Sequence, residues 1–139
     1  MSIARAACVF TLAIMLLAAV PGFAAQKSAL VGSWRGSSTA PHAPPITIDF
    51  VFSADGRYAE RSRYNGGKSM SFGHYKVIRK NVIQFTIEDW EPRQDCKPTG
   101  CEPVKKPPAF QYEVQTLTES TMRLKEKKFG GMITLKRMR

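Results

Sequence analysis

Side chains that commonly carry chemistry are sparse in this sequence, which holds three cysteines and two histidines. His74 stands beside Tyr75 and could act as a general base. A general base needs a reacting group within hydrogen-bond reach, and the residues around His74 contain no nucleophile motif. We therefore predict that the protein is not an enzyme and has neither catalytic residues nor a cofactor.

A carboxylate and a hydroxyl alternate with two tyrosines further along the chain. Glu60 and Ser62 lie in phase with Tyr58 and Tyr64. If the tyrosines face the protein interior, Glu60 and Ser62 line that interior and could orient a polar group of a ligand. In the alternative, the tyrosines flank an edge where this face meets solvent. The sequence leaves both interpretations open.

The first residues have the pattern of a secretory signal peptide. Arg5 supplies a positive charge, residues 6–20 form an apolar run, and Ala24 follows a helix-breaking Pro21-Gly22 pair. A membrane anchor is the less favoured alternative, because the apolar run is shorter than the ~20 residues that span a bilayer. We predict a signal peptide over residues 1–24, one domain over residues 25–139, and a periplasmic or secreted location.

Two cysteines, Cys96 and Cys101, would remain after the signal peptide is removed. An oxidising compartment and an even number of cysteines favour a disulfide between them. A metal site is the alternative, but His42 and His74 lie in unrelated segments and a second cysteine pair is missing, so no metal is predicted. The disulfide would brace a proline-rich loop at residues 91–108. Such a loop could cover a ligand site, contact a protein partner, or only connect two strands.

Apolar and polar residues alternate with a period of two along most of the chain after the signal peptide. The clearest run places four large apolar side chains on one face: Ile46, Ile48, Phe50 and Phe52. This period is typical of half-buried β-strands, and short turns such as Asp55-Gly56 make successive strands antiparallel neighbours. The first strand is predicted to begin at Leu30. We predict an all-β fold, an eight-stranded antiparallel up-and-down barrel, because closure removes exposed edges; a two-sheet sandwich is the alternative.

The first and last strands carry a family resemblance. Gly32 and Trp34 form a Gly-x-Trp sequence, and the chain ends in Lys136-Arg137-Met138-Arg139. These features resemble the small bacterial lipocalin-like domains. In lipocalins, a basic side chain of the last strand packs across the signature tryptophan at the closed end of the barrel. The resemblance therefore implies that Gly32, Trp34 and Arg137 form the barrel floor.

The same resemblance implies that the barrel binds a small apolar or amphiphilic ligand. The side chains expected in the interior are Phe50, Phe52, Tyr58, Glu60, Phe85, Tyr112 and Val114. Barrels of this size hold either one small ligand or only their own side chains, so an empty cup does not follow from the fold. The alternative is a protein-binding module or protease inhibitor that acts through the 91–108 loop or a basic surface. This alternative resembles the small bacterial metalloproteinase-inhibitor barrels, which also begin with Gly-x-Trp.

The chain is strongly basic, with 21 Lys and Arg residues against 11 Asp and Glu residues. This charge would attract an anionic envelope surface, although solubility and protection of strand edges explain it more simply. Nucleic acid is not an expected partner, because the chain is predicted to be exported and lacks stacking aromatics among its basic residues. We expect a monomer.

Overall fold

The computed structural model describes residues 27–39 and 44–139. The predicted signal peptide, residues 1–24, lies outside the described residues. A short helix, α1 (Lys27–Leu30), precedes ten strands. The strands are β1 (Gly32–Thr39), β2 (Ile46–Phe52), β3 (Arg57–Tyr64), β4 (Gly67–Arg79), β5 (Val82–Glu91), β6 (Gln94–Lys97), β7 (Gly100–Pro103), β8 (Phe110–Leu117), β9 (Thr121–Glu126) and β10 (Met132–Arg137). Within the described parts of the chain, no helix has the length and apolar character needed to cross a membrane.

Eight of the strands form a closed barrel in the order β1-β10-β9-β8-β5-β4-β3-β2. Every neighbouring pair is antiparallel, and β1 pairs with both β2 and β10. The pairing of the first strand with the last leaves no open sheet edge. The predicted all-β, eight-stranded up-and-down barrel is therefore confirmed, and the sandwich alternative is wrong.

The alternating strand directions give the barrel two different ends. One end carries α1, the start of β1 and the turns around Gly56, Lys80 and Glu119; we call it the floor. The opposite end carries the long connection between β5 and β8; we call it the mouth. Strands β6 and β7 lie within that connection and form a separate two-stranded sheet.

The core occupies the barrel interior, where the inward-facing side chains of all eight strands meet. Because side chains alternate between faces along a strand, each strand contributes every second residue. The buried hydrophobic residues are Leu30, Trp34, Ile48, Phe50, Phe52, Tyr58, Tyr75, Val82, Ile83, Phe85, Ile87, Tyr112, Val114, Met122, Leu124, Ile133 and Leu135. Most of them lie in the half of the barrel nearer the floor.

Two local predictions from the sequence are wrong. The first strand does not begin at Leu30, which instead ends α1 and is buried at the floor with 1% of its surface exposed. Its carbonyl oxygen accepts a hydrogen bond from Trp34 Nε1 at 2.8 Å, so the chain turns inward before the strand starts. The 91–108 segment is also more regular than a loop, because β6 and β7 form a hairpin inside it.

A bulge in β5 changes which side chains of that strand face the interior. Gly73 pairs with Ile87, whereas Phe72 pairs with Asp89, so one residue of β5 is left without a partner. The bulge shifts the alternation by one residue. Ile87 is buried below the bulge, and above it Trp90, rather than Asp89, is the partly buried residue. A side chain at position 73 would not fit, since a Cβ atom would lie 1.9 Å from the Thr86 carbonyl oxygen.

Candidate functional site

The floor is closed by the contact that the resemblance implied. The guanidinium carbon of Arg137 lies 4.1 Å from the centroid of the Trp34 ring, and Trp34 is fully buried. Arg137 also donates hydrogen bonds to the carbonyl oxygens of Ala29, Val31 and Glu119, each at 2.6 Å. A cation stacked on an aromatic face and bonded to backbone oxygens is a structural support.

Gly32 completes the floor because the backbone needs both an unusual conformation and space at this position. Its φ angle is +129°, a region that residues with side chains rarely adopt. A Cβ atom at Gly32 would also lie 2.6 Å from Nη1 of Arg137. The residues Gly32, Trp34 and Arg137 are therefore brought together as one unit that closes this end of the barrel.

Most of the predicted interior residues pack against one another. Phe50 stacks on Phe52 with 5.4 Å between ring centroids, and Phe85 stacks on Phe110 at 4.7 Å. Edge-to-face contacts join Phe85 to Tyr58 at 4.8 Å and to Tyr112 at 5.7 Å. Val114 is 97% buried in the same cluster. These side chains fill the interior below the mouth end, and Phe110 and Tyr112 are the upper members of the cluster.

The half of the barrel nearer the mouth contains a pocket of about 580 Å³. Its walls come from β3, β4, β5, β8 and the connection between β5 and β8. The lining residues are Glu60, Tyr64, Ser69, Met70, Ser71, Ile87, Trp90, Glu91, Pro92, Asp95, Val104, Pro107, Phe110 and Tyr112. The volume lies within the range of roughly 300–1,000 Å³ that is common for small-molecule sites. We call this space the mouth pocket.

Glu60 is the main polar group of the mouth pocket, because its carboxylate lies where the pocket meets the packed interior. Ser62 Oγ donates to Glu60 Oε1 at 3.0 Å, and Ser71 Oγ donates to Oε2 at 3.4 Å. Burial raises the pKa of Glu60 above its ordinary value, and the two serine hydrogen bonds oppose that rise. Among the described residues, no basic side chain lies within salt-bridge distance of this carboxylate.

Two tyrosines border Glu60 from the side of the packed interior. Tyr58 OH lies 3.4 Å from Ser71 Oγ, which links the phenol to the hydroxyl that contacts Glu60. Burial raises the pKa of Tyr58 to about 12, and burial also raises the pKa of Tyr112. Both phenols therefore stay protonated near neutral pH and can act as hydrogen-bond donors.

The structure places the first half of the Tyr58 to Tyr64 segment toward the interior, as the first interpretation expected, and the orientation of a ligand group by Glu60 and Ser62 stays a prediction. Tyr58 is buried, and Glu60 lines the mouth pocket. The Ser62 hydroxyl donates its hydrogen bond to Glu60. Tyr64 lies at the rim of the mouth pocket, and 42% of its surface is exposed. The solvent-facing alternative applies only to the last part of the strand.

The long connection supplies one wall of the mouth pocket. Pro92, Asp95, Val104 and Pro107 all line it. The connection is attached to the barrel through Trp90, whose Nε1 donates to the Val104 carbonyl oxygen at 3.3 Å. Sequence reasoning did not find Trp90, because the bulge that turns it inward interrupts the alternation of β5.

A disulfide joins Cys96 to Cys101, as the sequence predicted. The two cysteines are directly paired across β6 and β7, and all eight residues of these strands are exposed. The crosslinked hairpin therefore projects from the mouth. Its tip, Pro98-Thr99, does not line the mouth pocket.

His74 lies on the outer surface, away from the mouth pocket. Its Nδ1 is 2.6 Å from Glu88 Oε1, and both side chains are about half exposed. Within residues 27–39 and 44–139, no three His, Cys, Asp or Glu side chains are grouped as a metal site would require. That the protein lacks catalytic activity, a cofactor and a metal therefore stays a prediction.

Basic residues on the outer surface are partly paired. Asp49 accepts hydrogen bonds from Arg35 at 2.6 Å and from Arg63 at 3.1 Å. The hydrogen bond from Arg35 is the main reason that the pKa of Asp49 lies below its ordinary value. The remaining positive charge faces solvent, and its attraction to an anionic envelope surface stays a prediction.

Comparison of the sequence with models of protein families gives no match, and comparison with curated protein sequences gives none either. The structure is consistent with a lipocalin-like fold through its closed eight-stranded antiparallel barrel.

Proposed function

We propose that this protein is a non-enzymatic, lipocalin-like carrier that binds a small amphiphilic ligand in the mouth pocket. The observation that carries this proposal is the division of the barrel interior. Aromatic side chains fill the half near the floor, whereas a pocket of about 580 Å³ lies open above them. A space that is preformed and lined by aromatic and polar side chains is the usual form of a small-molecule site.

The walls of the mouth pocket suit a ligand with an apolar body and one polar group. Ile87, Trp90 and Phe110 offer apolar surface, and burial of ligand area there contributes about 25 cal/mol per Å². Glu60 on β3 and Ser69 on β4 offer polar contacts. The closed floor, with Arg137 on Trp34, supports the lipocalin-like relationship and makes the mouth the route of ligand entry.

The test is the binding of N-phenyl-1-naphthylamine, a neutral probe that becomes fluorescent in apolar surroundings. The wild-type protein should bind the probe at micromolar concentration. Ser69→Trp places an indole in the mouth pocket and should abolish binding. Ser37→Trp is the matched control, because Ser37 is an exposed residue of β1 and does not line the pocket. Absence of probe binding by the wild type, or equal binding by Ser69→Trp, would contradict the carrier function.

A protein-binding or inhibitory function is the second candidate, and the exposed crosslinked hairpin favours it. A braced hairpin loses little conformational entropy when it docks. Replacement of Lys97 and Pro98 by alanine changes the hairpin at and beside its tip; neither residue lines the mouth pocket, and Lys97 lies 3.9 Å from the pocket residue Asp95. If the hairpin inhibits a protease, the wild type should slow casein hydrolysis by that protease and the double variant should not. Equal inhibition by both would exclude the tip.

The disulfide and the expected signal peptide support a further part of the proposal, that the protein works in the periplasm or outside the cell. Disulfides persist in such oxidising compartments. We also propose that it acts as a monomer. Fractionation of the producing cells and light scattering of the purified protein test these two statements.

A further inference from the structure

The charge of the mouth pocket is opposite to the charge of the whole chain. The chain has 21 basic and 11 acidic residues, yet the pocket is lined by three acidic residues, Glu60, Glu91 and Asp95, and by no lysine, arginine or histidine. A pocket that simply reflected the composition of the chain would contain more basic than acidic residues. The acidic lining therefore distinguishes this space from the protein surface around it.

Glu60 is the one of these carboxylates that reaches the inner end of the pocket. Two serine hydroxyls donate to it, from Ser62 on its own strand and from Ser71 on β4. Hydroxyl donors orient a carboxylate but do not neutralise its charge. A carboxylate removed from bulk water without a cationic partner destabilises the fold, and an incoming cation would remove that penalty.

Aromatic side chains surround the approach to Glu60. Trp90, Phe110 and Tyr112 line the pocket, and Tyr64 lies at its rim. Ammonium groups are attracted to aromatic faces as well as to carboxylates. Trp90 already contacts one cation of the chain, because the Arg93 guanidinium lies 3.7 Å from its ring centroid. The same guanidinium pairs with the Asp89 carboxylate at 2.5 Å.

We propose that the mouth pocket selects cationic amphiphiles, with the ligand's ammonium group bound by the Glu60 carboxylate and its apolar body lying against Phe110, Trp90 and Ile87. This inference rests on the proposed carrier function and names its ligand class. An organic amine on an aromatic or alkyl chain fits both the charge and the walls of the pocket. A fatty acid does not, since its carboxylate would face Glu60.

The test compares three ligands of matched shape: 4-phenylbutylamine, 4-phenylbutanol and 4-phenylbutanoate. Isothermal titration calorimetry at neutral pH should give the wild type a preference for the amine over the alcohol, with the carboxylate weakest. Glu60→Gln should weaken amine binding by about 10- to 100-fold, the range for a hydrogen bond to a charged group, and should change alcohol binding far less, because the alcohol carries no charge. Glu102→Gln is the matched control, because Glu102 lies on the exposed hairpin outside the pocket.

The outcomes separate this inference from the carrier function. Equal binding of the three ligands by the wild type, or an amine preference that survives Glu60→Gln, would overturn the inference while the carrier function stands. Binding of the naphthylamine probe without binding of 4-phenylbutylamine would do the same. Failure of the probe and of all three ligands would overturn the carrier function itself. The wild-type comparison decides the matter even if Glu60→Gln does not fold.

Discussion

Arg137 and Glu60 are two charged side chains of the same barrel that differ in how completely the protein surrounds them with partners. The Arg137 guanidinium donates to three backbone carbonyl oxygens and stacks on the Trp34 ring. All of these contacts stabilise the closed floor. Glu60 has only two hydroxyl partners and faces a pocket. Stability therefore depends on the first residue, whereas the proposed ligand would supply the cationic partner that the second residue lacks within the part of the chain that the structure describes.

The two tryptophans should separate stability from ligand binding. Trp34→Ala should lower the free energy of unfolding by about 3–5 kcal/mol, because it removes a fully buried aromatic side chain. Trp90→Ala should lower it much less, since Trp90 is only partly buried, but should weaken binding of the naphthylamine probe. Urea unfolding and probe titration measure the two effects. A similar loss of stability in both variants would contradict this division.

Glu60→Gln should raise the free energy of unfolding at neutral pH. Burial raises the pKa of Glu60 in the folded protein, so between the unfolded and folded pKa values the folded state holds more protons than the unfolded state. The contribution of Glu60 to the free energy of unfolding therefore falls as the pH rises through that window, where Glu60 loses its proton, and recovers in acid. The gain from Glu60→Gln should shrink as pH falls below the window. Urea unfolding over a pH series checks this, with Glu102→Gln as the control. A gain that is independent of pH would show that Glu60 is not desolvated.

The β5 bulge and the crosslinked hairpin are the two elements that shape the mouth pocket. The bulge turns Trp90 inward, and the hairpin belongs to the connection that Trp90 holds through Val104. The bulge departs from regular alternation, and bulges are common next to active sites.

Gly73→Ala should disrupt the bulge. The added Cβ atom would lie 1.9 Å from the Thr86 carbonyl oxygen, and backbone must move to relieve that overlap. We expect a loss of about 1–3 kcal/mol in the free energy of unfolding, as for other overpacked sites, together with weaker probe binding. Gly131→Ala is the control, because a Cβ atom there has nothing within 4 Å. Equal behaviour of the two variants in urea unfolding would show that the bulge tolerates a side chain.

Reduction of the Cys96–Cys101 disulfide should leave the barrel folded. The bond closes a short ring between residues 5 apart and lies outside the barrel sheet. The loop-closure model gives a stabilisation of roughly 2 kcal/mol for so small a ring. That stabilisation acts on the hairpin and not on the barrel. Thiol titration of the exported protein, from which the predicted signal peptide with Cys8 is removed, should find no free cysteine. After reduction, the circular dichroism of the barrel should persist, and a collapse of that signal would place the hairpin in the folding core.

The described residues form a barrel with one packed half and one half that contains the mouth pocket. This division predicts different outcomes for two space-filling substitutions. Val114→Trp enlarges a side chain in the packed half and should destabilise the protein by about 1–3 kcal/mol. Ser69→Trp enlarges one that lines the mouth pocket and should block the probe with little loss of stability. Thermal melting together with probe titration checks both. Loss of probe binding in Val114→Trp without any loss of stability would show that ligand space extends below the pocket.

The sequence predicts the barrel well because its evidence is repeated along the chain. Strict alternation, short turns and the Gly32 and Trp34 pair each indicate the same closed sheet. The mouth pocket was only partly predictable. Glu60 follows the alternation of β3, whereas Trp90 lies beyond a bulge whose position depends on the packing of Gly73 against Thr86. A pattern of period two carries no information about such a shift, nor about how far the aromatic side chains fill the interior.

The floor also fixes how the barrel can be attached to something else. Lys27 lies over the Tyr75 ring at 5.5 Å, and the amide of Met138 donates to the Ser33 carbonyl oxygen at 2.8 Å, so the described chain is anchored at the floor near both of its ends. A tag, a fluorescent fusion or a surface linker joined directly before Lys27 or directly after Arg139 would thus leave the mouth pointing away from the point of attachment. Immobilised on a sensor chip in this orientation, the barrel would present its pocket to the flowing solution.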